Sequence, residues 1–145
     1  MAIMNITLDT NVILAFSNQE SDKNQDALKR LFDSIHSRNH SASISSITVA
    51  EIFAIVCRAG EARKAAEIIY YLKEAGVKII DVTEQIAKNA GLLKSKYPGM
   101  KGFSYGDAII ASTCIETLSI LITFEKNLND IKEIEVRTPE EVFSD

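Results

Sequence analysis

Asp9, Glu51, Asp107 and Glu125 each stand where an apolar run hands over to a turn or a helix. In a chain of alternating strands and helices, such positions gather outside the carboxyl ends of parallel strands, where ligands bind. Carboxylates crowded there would repel one another and hold on to protons unless a cation neutralised them. Mg²⁺ or Mn²⁺ takes oxygen ligands of this kind and supports hydrolysis of phosphate esters. The expectation is therefore a metal-dependent nuclease with all four acids as catalytic metal ligands and no need of a histidine or cysteine nucleophile.

Each acid also has a purely local explanation. Asp9-Thr10-Asn11 could cap a helix, since all three side chains accept hydrogen bonds from free backbone amides. Thr48-Val49-Ala50-Glu51 and Ser104-Tyr105-Gly106-Asp107 both fit the capping-box pattern. Thr138-Pro139-Glu140-Glu141 fits it better still, with proline at the first helical position, and carries no expected chemistry. Glu125, beside Lys126, would be an ordinary solvated charge if taken alone. What separates the four acids from Glu141 is that each follows a strand or loop leading to one predicted rim. Thr10 and Asn11 are the matching candidates for orienting Asp9 or the attacking water by hydrogen bonds.

The elements that must position these residues follow from periodicity and punctuation. Residues 3–8 form an apolar run that reads as a buried strand, followed by the turn and cap residues 9–11. After a polar loop, Leu28, Leu31, Phe32 and Ile35 recur at helical spacing and predict a helix over 24–37. Residues 42–45 read as a second strand, Val49, Ile52, Phe53 and Val56 as a helix ended by Gly60, and Ala62, Ala65, Ala66, Ile69 and Leu72 as the stripe of the next helix. A strand over 77–82 leads to a helix capped by Thr83 and broken at Pro98-Gly99. Ser104 then begins a helix that is apolar almost all round, followed by strands over 118–123 and 135–137. The pattern is α/β with a mainly parallel sheet and no internal repeat.

Composition agrees with one globular domain over 1–145, with 46% apolar and 25% charged residues. Cys57 and Cys114 lie in apolar helical stretches and read as small buried hydrophobes, not a disulfide framework. His36 and His40 lack the context of a zinc site and read as a solvated helix end. A net charge of −4 argues against a protein that coats nucleic acid but is compatible with a nuclease. Residues 1–16 contain Asp9 and no basic leader, and no run reaches membrane-spanning length, so the expected location is cytoplasmic.

Over nearly its whole length the chain resembles the PIN-domain ribonucleases, and within them the VapC-type toxins of toxin–antitoxin pairs. Leu8-Asp9-Thr10-Asn11-Val12-Ile13-Leu14 is similar to the family's first motif, Ile47-Thr48-Val49-Ala50-Glu51-Ile52 to its second, and Asp107-Ala108-Ile109-Ile110-Ala111 to its third. The fourth usually reads Thr-x-Asp-x-Asp-Phe; here Thr123-Phe124-Glu125-Lys126-Asn127-Leu128 places glutamate at the first acid and an amide at the second, which predicts a weakened second metal position. The resemblance implies a three-layer α/β/α fold with a parallel sheet of about five strands in the order 3-2-1-4-5. It further implies Mg²⁺- or Mn²⁺-dependent cleavage of single-stranded RNA, with Asp9, Glu51, Asp107 and Glu125 as ligands and Thr10, Asn11, Thr123 and Asn127 as candidates for orienting those ligands or touching substrate. A cognate antitoxin whose segment enters the acidic groove, and a homodimer, are the implied partners.

Two alternatives stay open within that resemblance: a stand-alone PIN-domain ribonuclease in RNA processing, and a catalytically weak PIN-like binding module. A phospho-acceptor receiver domain using Asp81 or Asp9 explains less, because it gives Glu51 and Asp107 no role. Nucleotide hydrolysis is disfavoured by the lack of a P-loop and of a dinucleotide-binding glycine fingerprint.

Overall fold

A computed structural model of the chain describes residues 3–18 and 24–143. Its elements run β1 (Asn5–Leu8), α1 (Thr10–Asn18), α2 (Gln25–His36), β2 (Ser41–Ser45), α3 (Ser46–Arg58), α4 (Ala62–Glu74), β3 (Lys78–Ile80), α5 (Glu84–Lys96), α6 (Tyr105–Thr117), β4 (Ile120–Ile122) and β5 (Val136–Arg137). Short 3₁₀ turns occupy Lys126–Asp130 and Glu141–Phe143. Most of the expected polar loop, residues 19–23, lies outside the described residues.

The five strands pair in parallel in the order β3-β2-β1-β4-β5, as expected. Helices cover both faces. Ile6 and Leu8 of β1, Ile44 of β2 and Ile122 of β4 point into a core shared with α1–α4, whereas Leu121 of β4 points into a second core with α5 and α6. This alternation follows from the two-residue period of a strand. Thr7 faces the α6 side, where its hydroxyl meets those of Ser43 (3.2 Å) and Ser119 (2.6 Å), so a polar residue is buried there with partners. The helix from Ser104 is as apolar all round as expected, with Ala108, Ile110, Ala111 and Cys114 all buried. No helix among the described residues is long and apolar enough to cross a membrane.

The structure corrects several local expectations. Residues 10–18 form helix α1 where only a turn and cap were expected. The run Val12 to Phe16 has no polar interruption, so its period cannot be read. Helix α3 starts at Ser46 with Ser45 as its N-cap, so Thr48 and Glu51 lie inside the helix and form no capping box. The buried stripe of α4 is Ala65, Ile68 and Leu72, with Ala62 and Ala66 exposed and Ile69 only partly buried. Leu118, expected in a strand, closes α6 in a left-handed conformation (φ 53°) and is exposed. Cys57 is exposed, whereas Cys114 is buried as expected. His40 is buried, not solvated, and its Nδ1 accepts a hydrogen bond from the Met4 amide (3.1 Å).

Candidate active site

The parallel register delivers the first acid. Leu8 of β1 sits beside Ile122 of β4, so Asp9 and Thr123 leave the sheet side by side, and the Asp9 amide donates to the Ile122 carbonyl at 2.9 Å. The Thr123 hydroxyl donates to Asp9 Oδ2 at 2.8 Å and accepts from the Glu125 amide at 3.0 Å. Asp9 Oδ1 accepts from the Thr10 amide at 2.7 Å, which starts α1 directly after the strand. Asn11 ties the same corner together: its amide donates to Thr123 Oγ1 (3.2 Å) while its carbonyl accepts from the Phe124 amide (3.3 Å).

Helices bring the remaining acids. Ser104 and Asp107 form a complete capping box at the start of α6, with Asp107 Oδ2 accepting from the Ser104 amide at 3.1 Å. The local explanation of Asp107 therefore holds, and the same residue lines the acidic cavity. Glu51 stands in the second turn of α3, and its Oε1 accepts a 2.6 Å hydrogen bond from Thr10 Oγ1. Asp9, Thr10, Asn11, Glu51, Asp107 and Glu125 all line one cavity of about 380 Å³.

One carboxylate oxygen each from Asp9, Asp107 and Glu125 lie within 4.8 Å of one another. None of the four acids has an ion-pair partner among the described residues. The electrostatic consequence is visible in proton affinity. Burial, reinforced by the charges of Asp107 and Glu51 and opposed by the hydrogen bonds from Thr123 and Thr10, raises the Asp9 carboxyl to about 6. Burial and the charges of Asp107, Asp9 and Glu51 raise Glu125 to about 7. Such a site favours a small hard cation with oxygen coordination, and the donor set fits Mg²⁺ or Mn²⁺.

The structure therefore gathers seven of the eight residues singled out from the sequence. Asn127 is the exception: its side-chain amide donates to the Lys101 carbonyl at 3.1 Å, whereas Thr123, also off the cavity wall, bonds to Asp9. Five contributors escaped the sequence reading. Thr48 is buried with its hydroxyl 3.2 Å from that of Thr10. Gly106 lies so close to Glu51 that a Cβ there would meet Oε2 at 2.9 Å. Leu14, Ala54 and Ile55 form an apolar wall of the cavity. Helical spacing carried the signal for Thr48, Leu14 and Ile55, which stand three or four residues from Glu51 or Asn11 on the same helix faces.

The family described as PIN domain matches residues 6–134. Among solved structures, VapBC2 from Rickettsia felis bound to a DNA fragment from its promoter aligns with a TM-score of 0.72 at 23% identity, covering 93% of this chain and 98% of that one. VapC20 from Mycobacterium tuberculosis, a sarcin-ricin loop cleaving toxin, aligns at 0.73 and 19% identity, covering 91% and 98%. A toxin–antitoxin complex from Klebsiella pneumoniae aligns at 0.65 and 21%, covering 92% and 97%. No curated protein gives a significant match to the chain.

Proposed function

The chain belongs to the PIN domain family, and from that premise we propose that it is a divalent-metal-dependent endoribonuclease that cleaves single-stranded RNA. The observation that carries this reading is the convergence of Asp9, Asp107 and Glu125 within 4.8 Å, with no ion-pair partner among the described residues to balance them. In this reading Asp9, Glu51, Asp107 and Glu125 hold Mg²⁺ or Mn²⁺. The bound ion supplies charge stabilisation at the phosphate and makes water acidic enough to act near neutral pH.

The chain's own residues set the geometry. Thr123 and the Thr10 amide fix the two oxygens of Asp9. Asp9 Oδ1 accepts only the Thr10 amide and keeps a lone pair for a metal, while Oδ2 also accepts a longer 3.5 Å bond from the Asn11 side-chain amide. Thr10 holds Glu51 toward the cavity, and the capping box holds Asp107. Asn11 couples the start of α1 to the chain leaving β4, so Asp9 and Glu125 keep their spacing.

The test is cleavage of an unstructured RNA with Mg²⁺ or Mn²⁺, with EDTA, and by Asp9→Asn. Cleavage is expected only in the wild type with metal. Activity that survives EDTA would remove the metal from the mechanism.

The likeness to toxin–antitoxin assemblies supports the further reading that this nuclease is a VapC-type toxin held by a small antitoxin. A reading frame next to its own, encoding a small protein that co-purifies with the chain and blocks cleavage, is the expected finding. A chain that cleaves RNA but has no such neighbour would be a stand-alone processing nuclease.

A further inference from the structure

Helix α6 opens on Tyr105, a large side chain that is 68% exposed and stands two residues before Asp107. Its ring does not stand alone. Lys94 Nζ lies 5.0 Å from the Tyr105 ring centroid and 5.3 Å from that of Phe103, and is fixed there by donating to the Phe103 carbonyl. The ring thus meets an anchored cation on one side and solvent elsewhere. Among the described residues its hydroxyl has no hydrogen-bond partner, so neither burial nor polarity explains a tyrosine at this position.

Position gives the ring its meaning. Tyr105 is the first residue of α6 and Asp107 the third, which separates them by about 3 Å along the helix axis. Gly106 between them abuts Glu51 Oε2. An aromatic face and a cation therefore stand at the start of the helix that carries Asp107, on a protein whose net charge is −4. Nucleic acid drawn to an acidic site needs attraction from such flanking groups. Stacking on an aromatic ring supplies it to any base with a free face, and a lysine beside the ring supplies it to phosphate.

We propose that Tyr105, backed by Lys94, is the stacking platform for the base of a nucleotide adjoining the scissile phosphate of single-stranded RNA. This rests on the nuclease reading above. It adds a physical reason for selecting unpaired RNA, because a base already stacked and paired in a duplex cannot lie on the ring. It also predicts weak sequence preference at that nucleotide, since every base has a π face.

The experiment measures binding of fluorescently labelled, unstructured RNA to the full chain by anisotropy, with Ca²⁺ in place of Mg²⁺ and RNA integrity checked on a gel. Tyr105→Ala should weaken binding about tenfold, and Tyr105→Phe should bind like the wild type. A single abasic nucleotide moved along the RNA should weaken wild-type binding at one position and have no further effect there on Tyr105→Ala. Unchanged binding by Tyr105→Ala, in a protein whose wild type cleaves RNA with Mg²⁺, would overturn the platform and leave the nuclease reading intact. Equal losses in Tyr105→Phe and Tyr105→Ala would overturn stacking in favour of the hydroxyl. A wild type that neither binds nor cleaves RNA overturns the nuclease reading, and the platform with it.

Discussion

Thr10 Oγ1 donates a 2.6 Å hydrogen bond to Glu51 Oε1, linking the first turn of α1 to the second turn of α3 across the wall of the acidic cavity. Thr10 and Thr48 are both buried, with their hydroxyls 3.2 Å apart, so the contact belongs to a small polar network inside the protein. Thr10→Val removes the donor while keeping the shape. Leaving these groups unpaired is expected to cost about 1–3 kcal/mol in thermal or denaturant unfolding. RNA cleavage should fall by more than tenfold as Glu51 loses its orientation. Thr10→Ser should keep both, and a serine variant as impaired as valine would show that the methyl group matters, not the hydrogen bond.

Gly106→Ala separates the site from the fold. The backbone there is ordinary helix, but the new Cβ would stand 2.9 Å from Glu51 Oε2, the end of a flexible side chain that can move aside. Stability should stay within about 1 kcal/mol of wild type, because alanine suits a helix better than glycine. Manganese affinity, read by calorimetry, and RNA cleavage should both drop. Unchanged metal affinity would take Glu51 out of the ligand set.

Without metal, stability should decline as the pH rises from 4 to 7. Asp9 moves from 3.8 in the unfolded chain to about 6, and Glu125 from 4.5 to about 7, so the folded protein binds these protons more tightly than the unfolded one. The resulting stabilisation is complete below the unfolded values and is lost as pH rises through the folded ones. For Asp9 it amounts to about 2–3 kcal/mol. Chemical denaturation in EDTA across this range should therefore show a smaller decline for Asp9→Asn than for wild type. Parallel profiles would contradict the raised Asp9 value.

Asp107 serves as helix cap and, in the proposed function, as ligand, and the two roles respond differently to substitution. Without metal, Asp107→Asn should change stability by no more than about 1 kcal/mol, because an amide can still accept the Ser104 hydrogen bond while one repulsive charge is gone. Mn²⁺ should raise the melting temperature of the wild type more than that of the variant, since an ion that binds only the folded state stabilises it according to its affinity. Glu141→Gln is the control: Glu141 and Thr138 exchange hydrogen bonds of 2.8 and 3.3 Å at a 3₁₀ turn, and Glu141 does not line the acidic cavity. Equal metal shifts in all three proteins would end the ligand assignment of Asp107.

Self-association is expected from the exposed aromatic and aliphatic side chains of α3 and α4, namely Phe53, Ile55, Tyr70 and Tyr71. Sedimentation equilibrium should give twice the 16.0 kDa chain mass. A monomer at high concentration would remove the dimer and leave the nuclease chemistry untouched.

Much of the architecture was legible because its signals are local. Apolar runs ending in polar residues marked the strands, and helical spacing of Leu28, Leu31, Phe32 and Ile35 marked α2. The capping boxes at Ser104 and Thr138 both form as their residue types require. The same pattern misled at Thr48, since Thr-x-x-Glu occurs equally well inside a helix; α3 starts earlier because β2 ends at Ser45, whose side chain takes the cap.

By itself the sequence determined which residues carry charge, which runs are apolar enough to bury, and hence that acids would collect at one rim of a parallel sheet. Tertiary structure alone decided how they meet. The pairing of Leu8 with Ile122 sets Asp9 beside Thr123, although 114 positions separate them in the chain. Asp107 and Glu125 complete the group of three, while Glu51 is held by Thr10 from another helix. Asn127 follows Glu125 by two residues and still turns toward Lys101. Periodicity and capping depend on neighbours a few residues away, but distances between side chains on different elements depend on strand register and helix packing, which no short stretch of sequence encodes.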